Sequence, residues 1–169
     1  MNSVIGKKIV IVGCPGSGKS MLARRLHERT GLAVVHLDNV FWKPDKTHIS
    51  KEEFDNKLAE LLKADEWILD GNYSRTLSKR IEQADTVIVL DYPLDVCLAG
   101  ARERVGKVRD DLPWIEDKLD WEELEEWIKD FPSVEMPKVY TAIEECGKFK
   151  NTVVFHSREE ADEWLTTQM

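Results

Sequence analysis

Cysteine is scarce in this chain and never paired by spacing: Cys14, Cys97 and Cys146 stand far apart, with no Cys-x-x-Cys step. That argues against a disulfide framework or a zinc ribbon. It fits thiols kept reduced, and so a cytoplasmic location. No apolar run approaches the ~20 residues that span a bilayer, so no membrane partner is expected. The opening residues, Met1 to Lys8, have neither the apolar stretch nor the small-residue cleavage site of a secretory leader, and they run straight into an apolar segment. Internal repeats, low-complexity tracts and linkers are lacking too, which predicts a single domain over residues 1–169. A chain of this length has no room for a second substrate domain, so any lid or clamp must be an insertion. Positive charge is also short. Lys and Arg number 24 against 32 Asp and Glu, a formal net charge of −8. The deficit is local, because Asp110 to Glu145 holds thirteen acids against three lysines. Such a stretch repels a phosphate backbone, so direct nucleic-acid binding is not expected, and it reads as a solvated helix surface.

What the chain does have is concentrated near its start. Gly13-Cys14-Pro15-Gly16-Ser17-Gly18-Lys19-Ser20 matches the Walker A phosphate loop. Such a loop curls its backbone N–H groups around a pyrophosphate, which calls for glycine where main chain and ligand come closest. Gly13, Pro15, Gly16, Ser17 and Gly18 are therefore expected to cradle ATP, with Lys19 reaching the β/γ-phosphates and Ser20 placing a hydroxyl on Mg²⁺. The context suits the motif. Lys8-Ile9-Val10-Ile11-Val12 reads as a strand, and Met21 to Thr30 as a helix with Leu22 and Leu26 on one face.

Strand-like runs recur at Ile9 to Val12, Ala33 to Leu37, Trp67 to Leu69, Thr86 to Leu90 and Thr152 to Phe155, with helical patterns between them. That alternation predicts an α/β fold with a parallel sheet wrapped by helices on both faces. Ser50 with Glu53 and Ser157 with Glu160 read as capping boxes. Pro93 opens a helix to about Val105, and Trp121, Leu124, Trp127 and Ile128 form an apolar face on the next one. These tryptophans read as core.

A Walker A loop needs a carboxylate at the end of a neighbouring strand to orient the hydrated metal, and Trp67-Ile68-Leu69-Asp70 supplies one. Asp91, which closes the Val87 to Leu90 strand, is the rival. Asp38 ends the second strand at the edge where open α/β sheets bind ligands; there it could take a proton from an acceptor hydroxyl, or simply cap a turn. Phosphoryl transfer also needs positive charge that covers the transferred group. Arg102 and Arg109 are candidates for that role, with surface ion pairs to Glu103 and Asp110 as the alternative.

Walker A, Asp70-Gly71, the Asp91-Tyr92-Pro93 turn and the arginine-bearing segment after the fourth strand together resemble the adenylate-kinase-like P-loop kinases. His36 to Pro44, Asp70 to Tyr73 and Trp127 to Pro137 resemble most the small topology modulation, or FlaR-like, proteins. The resemblance covers nearly the whole chain. It implies a P-loop NTPase three-layer sandwich with a five-stranded sheet in order 2-3-1-4-5. It also implies an acceptor-site insertion over about 38–66, a small lid over about 104–120, and ATP with Mg²⁺ as cofactors. One departure bears on the acceptor. Adenylate kinases carry Asp-Gly-Phe-Pro-Arg, whereas Asp-Gly-Asn-Tyr-Ser-Arg here shifts Arg75 by one place, and no arginine occurs from Thr30 to Ser74. A monophosphate dianion normally calls for bidentate arginine. Phe41 and Trp42, beside Lys43 and Lys46, could instead stack on a base; the alternative makes them core and leaves an acceptor phosphate to Arg75 and the lysines.

The expected function is a Mg-ATP-dependent phosphotransferase acting on a small acceptor with a free hydroxyl, a nucleoside, nucleotide or polyol, in a monomer or homodimer. The alternative is a nucleotide-dependent switch linked to DNA topology through a partner. A plain ATPase is disfavoured, because no glutamate directly follows Asp70 to polarise water.

Overall fold

Five runs of apolar and β-branched residues build the sheet of this computed structural model, which describes residues 5–168. The ends of the expected 1–169 domain, residues 1–4 and 169, lie outside the described residues. The strands are β1 (Lys8–Gly13), β2 (Val34–His36), β3 (Trp67–Asp70), β4 (Thr86–Leu90) and β5 (Asn151–Phe155). Their order is β2-β3-β1-β4-β5, and every neighbouring pair is parallel, the order that the resemblance implied. Ile9, Val10, Ile11 and Val12 are completely buried, as are Val87, Ile88 and Val89. Successive strand residues face opposite sides, so unbroken burial means that both faces of the sheet are covered.

The helices are α1 (Lys19–Thr30), α2 (Leu37–Phe41), α3 (Lys51–Leu62), α4 (Ser74–Gln83), α5 (Leu94–Arg104), α6 (Lys118–Val134), α7 (Met136–Cys146) and α8 (Arg158–Thr166). Ser50 and Ser157 cap α3 and α8 by accepting the N–H of Glu53 and of Glu160. The second arm expected at Ser157 is redirected, since Glu160 accepts from the His156 N–H. The reciprocal capping box opens α6 instead, where Asp117 accepts from the Asp120 N–H and Asp120 from the Asp117 N–H, each at 2.9 Å. A cap of this kind is worth about 1 kcal/mol.

Two regions differ from the sequence expectation in ways that shape the site. The second strand stops at His36, because Leu37 turns inward as the first residue of α2 and packs, fully buried, against Gly71. On α6, Ile128 and Phe131 enter the core, but Trp127 stays 43% exposed and faces a cavity. Between α5 and α6, residues 105–117 form neither helix nor strand.

Candidate functional site

β1 ends at Gly13, and the chain curls through Gly18 into α1. Gly13 lends its N–H to Asn72 Oδ1 at 3.1 Å, which fastens the start of the loop to the turn after β3. Gly16 takes φ +86° beneath α5, where a Cβ would meet the Cys97 carbonyl oxygen at 2.0 Å. The contact is closed from the other side by Gly100, whose Cβ would lie 2.2 Å from the Gly16 oxygen. Backbone therefore rests on backbone, and no side chain fits between loop and helix. Arg158 also reaches the Gly16 oxygen, at 3.1 Å. Lys19 and Ser20 open α1 and are buried, so the N–H groups of that helix end face the loop's hollow, as an anion site requires. Ser17 Oγ is buried there without a hydrogen-bond partner, a group that a phosphate oxygen would satisfy.

Carboxylates gather beside Ser20. Its Oγ lies 2.8 Å from Asp70 Oδ2 and 2.8 Å from Asp111 Oδ2. His36 pairs with Asp70 in the strand register, and its Nδ1 sits 2.6 Å from Oδ2. Lys19 Nζ is 4.0 Å from Asp70 Oδ1, an oxygen buried with no hydrogen-bond partner. Asp111 is held well below the usual carboxylate range: burial opposes this, but the Arg109 guanidinium, the Ser20 hydroxyl and Lys19 outweigh it. Hard oxygen donors around an orphaned carboxylate oxygen suit Mg²⁺, which Ser20 and Asp70 could hold. Among the described residues no group of three or more His, Cys, Asp and Glu side chains is placed to hold a metal. Water and phosphate would complete the shell. Asp91, the rival, accepts from the Tyr140 hydroxyl at 2.6 Å instead.

Asp38 stands in the first turn of α2, where Tyr73 donates its hydroxyl to Oδ1 at 2.6 Å. Burial pushes the Asp38 carboxyl up, against Lys19 and the Tyr73 hydrogen bond. Burial and Asp38 drive the Tyr73 phenol up in turn, so it remains a donor. Tyr73 itself has φ +37°, an unusual backbone for an aromatic residue. Arg80 on α4 holds it there. This completely buried arginine donates to the carbonyls of Gly71 at 3.0 Å, Tyr73 at 3.2 Å and Asn72, and to Thr76 Oγ1 at 3.2 Å. Burial lowers its guanidinium to about 9, against the pull of Asp70 and Tyr73.

A cavity of about 650 Å³ opens from this rim, and its lining includes Pro15, Lys19, Asp38, Trp42, Trp114 and Trp127. The expected lid arginines divide. Arg109 lines the cavity, forked onto Asp111 at 2.9 and 2.6 Å and paired with Glu116. Arg102 is exposed and outside it, and Arg104 enters in its place. The reason is helical phase, because Arg104 shares the inner face of α5 with Cys97 and Ala101. Arg75 lies at the cavity's edge but spends its guanidinium on Asp55, at 3.0 and 2.9 Å. Phe41 is packed among His48, Phe54 and Tyr73 at ring separations of 4.6, 5.7 and 5.4 Å, and is not among the cavity-lining residues. Trp42 does line it, edge-on to Trp114 at 5.4 Å. Arg80, Asp111 and Trp114 had no part in the sequence expectation, and His36, Tyr73 and Arg104 were given no site role there. For His36 and Arg104 a signal existed: a histidine ending the strand next to Asp70, and an arginine three residues after a small buried alanine.

Residues 9–109 match a family model described as AAA domain. An adenylate kinase of Thermotoga neapolitana is 28% identical over 94 residues, 54% of this chain and 42% of that one. The match thus spans less than half the length of that curated relative. A shikimate kinase from Acinetobacter baumannii in complex with shikimate aligns with a TM-score of 0.60 at 17% identity, over 98% of this chain and 93% of that one. A gluconokinase from Sinorhizobium meliloti 1021 gives 0.59 at 14% identity, over 97% and 90%. At such identities the two structures speak for the fold alone. The family model spans more than half of the chain, and this protein belongs to the AAA domain family, with the fold of the adenylate-kinase-like P-loop kinases.

Proposed function

We propose that this protein is a Mg-ATP-dependent phosphotransferase that passes the γ-phosphoryl group to a hydroxyl of a small acceptor held in the cavity. The observation that carries the reading is that Lys19 and Asp38 line the same cavity, close enough for the Lys19 charge to act on the Asp38 carboxyl. Lys19 belongs to the donor loop, and Asp38 is a carboxylate with a raised proton affinity and a fixed orientation.

In this reading the loop N–H groups and Lys19 hold the β/γ-phosphates, and Ser20 and Asp70 hold Mg²⁺. The bound metal neutralises charge on the phosphate oxygens. Asp38 accepts the proton of the attacking hydroxyl, for which its raised pKa suits it, while Tyr73 keeps Oδ1 in place. Arg104 and Arg109 line the same space and cover the charge on the transferred group.

The rest of the cavity lining favours an acceptor without a phosphate. The lining offers three tryptophans together with Asp120, Glu123 and Glu135. Of the arginines in the lining, Arg109 is paired with Asp111 and Glu116, and Arg75 is committed to Asp55. A flat or polyhydroxylated neutral molecule, a nucleoside or polyol, suits these walls better than a dianion. The names of the structural neighbours, a gluconokinase and a shikimate kinase, support a small non-nucleotide acceptor, while the curated adenylate kinase would support a nucleotide.

The test is ADP release in a coupled assay over nucleosides, nucleoside monophosphates and polyols, with Lys19→Ala as the blank. A neutral hydroxyl compound is expected to raise release above background hydrolysis. Intact nucleotide binding with no active acceptor would instead favour a nucleotide switch that works through a partner.

A further inference from the structure

The segment between α5 and α6 sends one carboxylate to a place with too many acceptors and too few protons. Ser20 Oγ is 2.8 Å from a carboxylate oxygen of Asp70 and 2.8 Å from one of Asp111. A serine hydroxyl has one hydrogen to give, so it serves one carboxylate and turns a lone pair toward the other. His36 addresses the same Asp70 oxygen as Ser20, which leaves the second Asp70 oxygen without a hydrogen bond in a side chain only 3% exposed. Arg109 bonds Asp111 along its side, and nothing in that fork supplies a proton to Ser20 or Asp70. A hard divalent cation relieves such a cluster, because it takes lone pairs from hydroxyl and carboxylates together.

Resting on the kinase reading, we infer that Asp111 is a metal-positioning carboxylate carried by the segment between α5 and α6, which would hold the Mg²⁺ of the nucleotide complex together with Ser20 and Asp70. It does so directly or through one bound water. The lid is then fastened to the metal as well as to phosphate, and metal-free nucleotide fills the loop without engaging Asp111. Arg109 does not depend on this contact for a partner, since Glu116 also accepts from it.

Manganese titration in the presence of a non-hydrolysable ATP analogue, with free Mn²⁺ read by electron paramagnetic resonance, tests the assignment on wild type, Asp111→Asn and Asp110→Asn. Asp110 is the control, a neighbouring acid whose side chain pairs with Arg24 at the surface. Asp111→Asn is expected to weaken Mn²⁺ in the nucleotide complex about tenfold or more. Analogue affinity in EDTA should change less than about twofold, and Asp110→Asn should change neither. Unaltered Mn²⁺ affinity in Asp111→Asn, or an equal loss of metal-free nucleotide, overturns the inference. A second measurement needs no variant: Fe²⁺ in place of Mg²⁺, with ascorbate and peroxide, cuts backbone near the metal. Cleavage is expected close to Ser20, Asp70 and Asp111, and its absence near Asp111 overturns the inference. Nucleotide binding with a metal that ignores Asp111 defeats this inference alone. A wild type that binds no analogue, with or without metal, defeats the kinase reading as well.

Discussion

The donor side and the acceptor side of this site are built by different means. On the donor side, backbone does the work: Gly16 and Gly100 let α5 lie on the loop, and Gly13 lends its N–H to Asn72. On the acceptor side, side chains do it: an aromatic cluster around Phe41, the Tyr73 to Asp38 hydrogen bond, and Lys46 tied to Asp117 and Asp120 at 3.2 and 2.9 Å. Backbone packing admits one geometry whatever the ligand. Side-chain packing can be re-cut for a new acceptor without disturbing the loop, which is how one fold serves several substrates.

Four substitutions would break or sharpen that contrast. The largest effect is expected from Lys19→Ala, which removes the loop's own cation; transfer should fall about a thousandfold, read as ADP release, with the melting temperature little changed. Arg80→Met comes next. It leaves three backbone carbonyls of the turn without their donor and should cost about 3 kcal/mol of stability in denaturant unfolding. An unaffected stability would mean that the turn does not need its clamp. Asp38→Asn should slow transfer about a hundredfold while sparing nucleotide affinity; equal loss of both would move Asp38 to the donor side.

The pH dependence separates catalysis from stability at this residue. An acid whose folded pKa is raised stabilises the fold at low pH, and that contribution is lost as pH rises through the folded value. Transfer runs the other way, because only the ionised carboxylate accepts a proton. Wild-type rate should therefore rise with pH above the ordinary Asp range, and Asp38→Asn should melt no lower than wild type at neutral pH. The smallest effect belongs to Arg75→Ala. Its pair with Asp55 is 47% and 42% exposed, so it should contribute at most about 1 kcal/mol, and KM for a neutral acceptor should hold. A KM that rises only for phosphorylated acceptors would redraw the acceptor side as an anion site.

The same contrast explains what could be read from the sequence. Strand, loop and helix of the donor side are contiguous in the chain, so Gly13 to Ser20 and Asp70 stood out as a motif and a strand end. The acceptor side is assembled from residues 38, 42, 73 and 80, and no spacing rule joins them. Arg80 reads as a surface residue on an amphipathic helix until the turn it clamps is folded against it. Arg102 and Arg104 both lie in the last turn of α5, and only the burial of Cys97 and Ala101 fixes which of them faces in. Phe41 and Trp42 pack edge-on to each other at 5.1 Å, yet of the two only Trp42 lines the cavity.

The short turn Gly71-Asn72-Tyr73 acts as a gauge block between the two halves of the reaction. Its middle residue holds the start of the phosphate loop, its last residue holds Asp38, the proposed proton acceptor, and one guanidinium pins all three carbonyls. The spacing between phosphate seat and acceptor hydroxyl is then a property of three consecutive residues, set before either ligand arrives. New acceptors can be accommodated by changing the rest of the cavity lining, but a change in this turn would put both ligands out of calibration at once.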